Sequence, residues 1–277
     1  DVYKRQAEAP RLTISVARLE QLSPALLELG CPARVYIPLE EVSRLESLPG
    51  EGPEWCAVLP RVWRDRDEPA LRTLLERARA LGFTGVLIGN LGHLPLVRGL
   101  NFHLYGDYGL NVFNSRSLAY LKDKELESAC VSFELRFAQI RDLKKVLRAE
   151  AIVYGRLPLM IAENCLVQNE TGCRLDRQGP CVPEDGPCRC GQPNVLVDRT
   201  GAAFPLLPAY GHRTEIQNSK PLYLADRPEH RRLGLAYARL RFTTETAEEC
   251  VSVVQNYLDA APAAGDFTRG LYERGVE

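Results

Sequence analysis

The feature that most constrains this 277-residue chain is a rhythm. Short β-branched or aromatic runs at 12–16, 34–39, 55–60, 85–90, 102–106, 130–134, 151–155 and 237–242 alternate with helical patterns. Such alternation produces parallel strands joined by crossover helices. Eight units in about 250 residues is the length of an α/β protein of the (β/α)8 TIM-like barrel type. An open doubly wound sheet is the runner-up, but no glycine-rich phosphate turn follows the first run. The most regular helix begins near Glu68 with Pro69 in its first turn and aligns Leu71, Leu74, Leu75, Ala78 and Leu81. A second turns Ile140, Leu143 and Leu147 inward. A third opens at Thr246 with Glu249 as its capping-box partner, followed by Val251, Val254 and Leu258.

One interval breaks the rhythm. Neighbouring runs start about 17 to 30 residues apart, whereas the seventh and eighth start 86 apart. That gap holds a cysteine cluster, a Pro/Gly-rich stretch at 178–193 and a hairpin-like segment at 195–201. An insert after strand seven leaves the barrel at its C-terminal face, where active sites of this fold sit. The expected organisation is a non-native or disordered start at 1–10 and a barrel domain at 11–277. A cysteine-rich cap at 157–226 lies between strands seven and eight.

Five of the nine cysteines (Cys165, Cys173, Cys181, Cys188 and Cys190) fall within 26 residues. The odd total and the absence of a secretion signal argue for metal rather than a disulfide framework. Thiolates are soft donors that suit zinc or an iron–sulfur cluster. Cys165, Cys173, Cys188 and Cys190 are the first choice of ligands, with Cys181 or His212 as a replacement for one of them. Cys31, Cys56, Cys130 and Cys250 lie in or beside apolar runs and read as buried cysteines.

Polar residues at the C-terminal ends of the runs suggest a pocket. They are Arg61 after the third, His93 after the fourth, Asp107 and Asn111 after the fifth, Glu134 at the sixth and Arg156 at the seventh. Arg61, Arg156 and Arg199 suit a dicarboxylate through bidentate pairing. Glu134 is placed to orient a substrate or accept a proton, and against that stands simple charge neutralisation between Glu134 and Arg156. Lys and Arg total 35 against 36 Asp and Glu, so no global basic field marks a nucleic-acid binder. No apolar run approaches the roughly 20 residues that span a bilayer, and the opening lacks an apolar signal core, which points to the cytoplasm. Met160 is the only methionine, so the chain reads as a piece of a longer protein. No zincin, serine-hydrolase or P-loop motif is present.

Several segments taken together resemble peptidase family U32, the collagenase-like family. The run from Gly106 through Asp107, Leu110, Asn111 and Asn114 is similar to its G-D-x-x-L-N-x-x-N segment. Ser132-Phe133-Glu134-Leu135 followed by Ile140 resembles its strand-to-helix turn, with Phe133 where many members carry Arg. Val153 to Met160 with Cys165 resembles the strand that leads to its first cysteine. Asp198-Arg199, Phe204-Pro205, Asn218 to Leu222 and Phe267 to Tyr272 complete the match, which runs from about residue 100 to the end. Tyr223 stands where many members place their fourth cysteine.

The resemblance implies a barrel with a cysteine-rich insert. Members are named as peptidases, and the better understood ones hold an iron–sulfur cluster and support oxygen-independent hydroxylation of RNA bases or of a quinone precursor. It therefore implies RNA and a prephenate-like anionic small molecule as partners, with prephenate as hydroxyl source. It also implies an N-terminal half of the same polypeptide. A metal-associated peptidase and a non-catalytic barrel half that scaffolds its partner are the competing expectations.

Overall fold

The computed structural model describes residues 9–30, 32–171 and 192–274. Eight parallel strands close into a barrel. In chain order these are β1 (Arg11–Ser15), β2 (Arg34–Pro38), β3 (Glu54–Val58), β4 (Gly85–Ile88), β5 (His103–Gly106), β6 (Ser128–Cys130) and β7 (Arg148–Gly155). Strands β8 (Pro158–Ala162), β9 (Asn194–Val197), β10 (Ala203–Ala209) and β11 (Arg213–Gln217) leave the barrel, and β12 (Leu222–Tyr223) returns antiparallel against β7. The eighth barrel strand is β13 (Tyr237–Arg241), hydrogen-bonded between β7 and β1; the β6–β7 pairing completes the ring. Each expected run supplies one barrel strand. The sixth differs most: its ladder ends at Cys130, leaving Glu134 in the turn beyond.

The helices pack outside. They are α1 (Pro24–Gly30), α2 (Glu68–Leu81), α3 (His93–Val97), α4 (Ser115–Asp123), α5 (Phe137–Asp142) and α7 (Ala247–Leu258), while α6 (Leu166–Thr171) packs with Leu206 and Ile216 of the strands that leave the barrel. Leu71, Leu75 and Ala78 of α2 are buried against the strands, as its 3.6-residue pattern requires. Helix α5 stops at Asp142 because Leu143 turns extended, so Leu143 and Leu147 reach the core from a loop. Helix α7 has the expected capping box: Glu249 N–H donates to Thr246 Oγ1, and Thr246 N–H donates to the Glu249 carboxylate. Its buried face is Cys250, Val254 and Tyr257, while Leu258 points to solvent.

The apolar core is this outer layer, where one face of each strand meets the helices; Ile14, Val35, Ile37, Ala57, Val86 and Ile88 belong to it. The opposite, inward face is different. Tyr36, Cys56, Leu87 and Tyr105 form a separate small cluster, and charged side chains fill much of the rest. Strands β8 to β11 form an antiparallel four-stranded sheet in the order β8-β11-β10-β9. Gly155 makes the exit from β7 possible: its φ is +118°, and a Cβ there would sit 2.0 Å from the Arg241 carbonyl oxygen.

Candidate functional site

A column of paired charges runs up the barrel interior. At the N-terminal end Arg34 Nε donates to Glu54 at 2.9 Å, and Tyr105 donates to the other oxygen of Glu54. The Arg34 guanidinium lies 3.4 Å from the Tyr105 ring centre. Its Nη1 also donates to the Tyr36 hydroxyl and to Ser128. Tyr36 and Thr13 in turn donate to Glu150. Arg239 donates to Glu150 through Nε at 3.0 Å and through Nη2, and its Nη1 donates to Asp107. Arg239 and Glu150 are each 1% exposed, so only this mutual satisfaction makes their burial tolerable.

Above Asp107 the barrel opens into a cavity of about 760 Å3. The C-terminal strand ends and following loops form its floor and one side: Val16, Arg18, Pro38, Glu40, Pro60, Arg61, Asp107, Tyr108, Arg239 and Arg241. The four-stranded sheet forms the other side through Ile161, Val195, residues 205–209, Arg213 and Glu215. Polar clasps hold the two together. Glu215 accepts from Arg241 at 2.9 Å and from Tyr108 at 3.4 Å, with Arg61 Nη1 3.5 Å away. Arg213 makes a bidentate pair with Glu163, also bonded by Arg64, and donates to the Val62 carbonyl.

Two charged residues lining the cavity stay unpaired among the described residues. Arg18, after β1, has a buried Nε with no hydrogen-bond partner and no carboxylate within 4.0 Å. Glu40, after β2, has no cation partner, and burial pushes its carboxyl up to about 7, with Glu41 adding to the rise. Strand-end reasoning applied to the first two strands would have found both.

The residues singled out from sequence separate under this geometry. Asp107 and Arg61 line the cavity. Asn111 is exposed and holds the left-handed end of a short turn, φ +52°. Glu134, half-buried, lies outside the lining because β6 ends four residues earlier. Arg156 donates to the Asn218 and Ser219 carbonyls, tying down the segment before β12 rather than pairing with Glu134. His93 is fully buried, its Nε2 3.1 Å from the Pro60 carbonyl, and burial pulls its pKa down to about 4. Arg199 sits exposed in the turn between β9 and β10.

Of the expected metal ligands, Cys165 is buried at the start of α6 beside Val167, Leu206 and Ile216. Its sulfur accepts the Gln168 N–H at 3.3 Å. The β8–β11 ladder pairs Ala162 with Thr214, so the turn carrying His212 lies alongside the segment leading to Cys165. His212 Nε2 is buried without a partner. Cys165 and His212 thus offer a sulfur and an imidazole, donors of the kind a soft metal takes. Cys173, Cys181, Cys188 and Cys190 lie outside the described residues, among which no cluster of three or more metal-ligating side chains occurs. Cys56, Cys130 and Cys250 are buried free thiols, and burial raises the pKa of each.

Comparison with known proteins adds a family. The model of peptidase family U32 matches residues 48–194, reaching further toward the N-terminus than the motif resemblance and covering the first five barrel strands after β2. None of the curated proteins matches the chain. Among solved structures, the U32 peptidase Mk0906 is similar at 8% identity with a TM-score of 0.47, covering 86% of this chain and 95% of that one. A ribulose-1,5-bisphosphate carboxylase/oxygenase from Pyrococcus horikoshii OT3 scores 0.41 at 8% identity, over 92% of this chain and 59% of that one. The chitinase ChiW from Paenibacillus sp. str. FPU-7 scores 0.39 at 9% identity, over 91% and 33%.

Proposed function

Because this chain belongs to peptidase family U32, we propose that it is an enzyme whose barrel mouth binds a small carboxylate-bearing molecule beneath a cysteine-bearing cap. The reaction proposed is oxygen-independent hydroxylation of an RNA base, with prephenate as hydroxyl source. Arg18 carries the anion-binding part of this reading. A guanidinium on a cavity wall with a buried, unpartnered Nε is costly, and a ligand carboxylate would satisfy it with charge-assisted hydrogen bonds. Arg239 cannot take that role, because Glu150 and Asp107 already saturate it. It stiffens the floor instead. The cap wall would exclude water from the bound ligand.

Cys165, with ligands from Cys173, Cys181, Cys188 and Cys190 or with His212, would hold an iron–sulfur cluster, which supplies one-electron chemistry when bound. Zinc on the same residues would make the site structural. Three of the buried cysteines and two of the histidines are poorly suited to a nucleophile–base pair. Burial raises the pKa of Cys56, Cys130 and Cys250, and His93 and His230 each face a backbone carbonyl.

The test is anaerobic purification with iron analysis and a visible spectrum, followed by calorimetry with prephenate and base analysis in a complemented deletion strain. Brown, iron-loaded protein that binds prephenate and restores the hydroxylated base supports the proposal. A colourless zinc protein indifferent to prephenate overturns it.

A further inference from the structure

We propose that Glu40 is the proton-carrying residue of the mouth cavity, taking up a proton when an anionic ligand binds at Arg18. The inference deepens the anion-binding reading above and rests on it. It follows by subtraction. Five carboxylates line the cavity: Glu20, Glu40, Glu41, Asp107 and Glu215. Glu20 and Glu41 pair with Arg44, Asp107 with Arg239, and Glu215 with Arg61 and Arg241. Glu40 alone of the five is left without a cation partner among the described residues, and Arg18, which feels the charge of Glu20, has no carboxylate within 4.0 Å.

The two follow adjacent strands, β1 and β2, whose ladder pairs Thr13 with Arg34 and Ser15 with Tyr36. They are not within ion-pair distance of each other, so a ligand can lie between them. Glu41 stands on Glu40's own turn. From the cap, Tyr210 feels the charges of Glu40, Asp67, Arg66 and Arg213. Arg213 is already held by Glu163 and Arg66 lies beside Asp67, so no neighbour among the described residues neutralises Glu40. Burial then favours the acid form, and an arriving anion favours it further, because two like charges in one enclosed site disfavour joint ionisation. The protonated carboxyl can donate a hydrogen bond to a ligand oxygen. The proton comes from solvent, and no bond in the ligand is made or broken.

Calorimetry with prephenate in buffers of contrasting ionisation enthalpy counts the protons. Uptake should be near zero at about pH 5.5, where Glu40 already carries its proton, and approach one at about pH 8.5. Glu40→Gln should bind without uptake at either pH, and its thermal melt checks that it is folded. Binding without proton uptake in the wild-type chain overturns the inference while leaving the anion site standing. Proton release, or uptake undiminished in a folded Glu40→Gln, also overturns it. Absence of prephenate binding overturns the anion-binding reading, and this inference with it.

Discussion

The barrel interior and its mouth are built from the same residue types and differ in how completely those residues are paired. Inside, Arg34, Glu54, Glu150 and Arg239 sit in strand positions that an apolar core would normally occupy, and each finds partners of opposite charge or hydroxyls. At the mouth, Arg61, Arg241 and Glu215 are still paired, but among the described residues Arg18 and Glu40 are not. Burial makes an unpaired charge expensive, so a saturated network reads as structure and an unsaturated one as a place prepared for a ligand. The lesson is that charge inside a barrel does not mark function. Leftover charge does.

The sharpest way to break this contrast is Glu150→Ala. It strips Arg239 of its main partner in a buried site, and urea unfolding should show a loss of about 3–5 kcal/mol. A change under about 1 kcal/mol would mean the column is not structural.

Next comes pH. His93 has its ordinary value of 6.5 pulled down to about 4 by burial, so the folded state prefers the neutral ring. Its contribution, about 3 kcal/mol, is present above pH 6.5 and lost as pH falls toward 4. Denaturation across that window should steepen for the wild-type chain and flatten for His93→Gln.

At the mouth the expectation reverses. Arg18→Ala should cost no stability in urea unfolding and can raise it slightly, yet lower prephenate affinity by about 10- to 100-fold, the value of a charge-assisted hydrogen bond. Loss of stability without loss of affinity would move Arg18 into the structural class.

Smallest is the cap of α7, remote from both regions. Thr246→Ala removes the acceptor for the Glu249 N–H and should cost about 1 kcal/mol, read by thermal melting, with ligand binding unchanged.

Much of the architecture was legible because period and spacing are local properties. All eight strands were in the sequence as β-branched or aromatic runs, the Thr246–Glu249 box as a four-residue signature, and the insert as one long interval, though its four-stranded sheet was not. The site was less legible. Asp107 and Arg61 line the cavity as polar strand-end residues should, but Glu134 misses it because the sixth strand is three residues long and ends early. Arg239 and Arg241 went unnoticed although they stand two apart in a strand, the spacing that sends both to one face. Arg156 follows the same strand-end rule as Arg61 and serves instead to anchor a chain segment.

The sequence by itself determined that this chain would form eight strands with helices between most of them and interrupt the pattern once, since dihedral preference and hydrophobic period act over a few residues. It also determined which side chains carry charge. Only the tertiary structure decided which charges cancel. Glu150 meets Arg239 across 89 positions and Asp107 meets it across 132, distances that barrel closure alone abolishes. Among the described residues the fold leaves Arg18 and Glu40 unpaired and supplies a partner to every other charge lining the cavity.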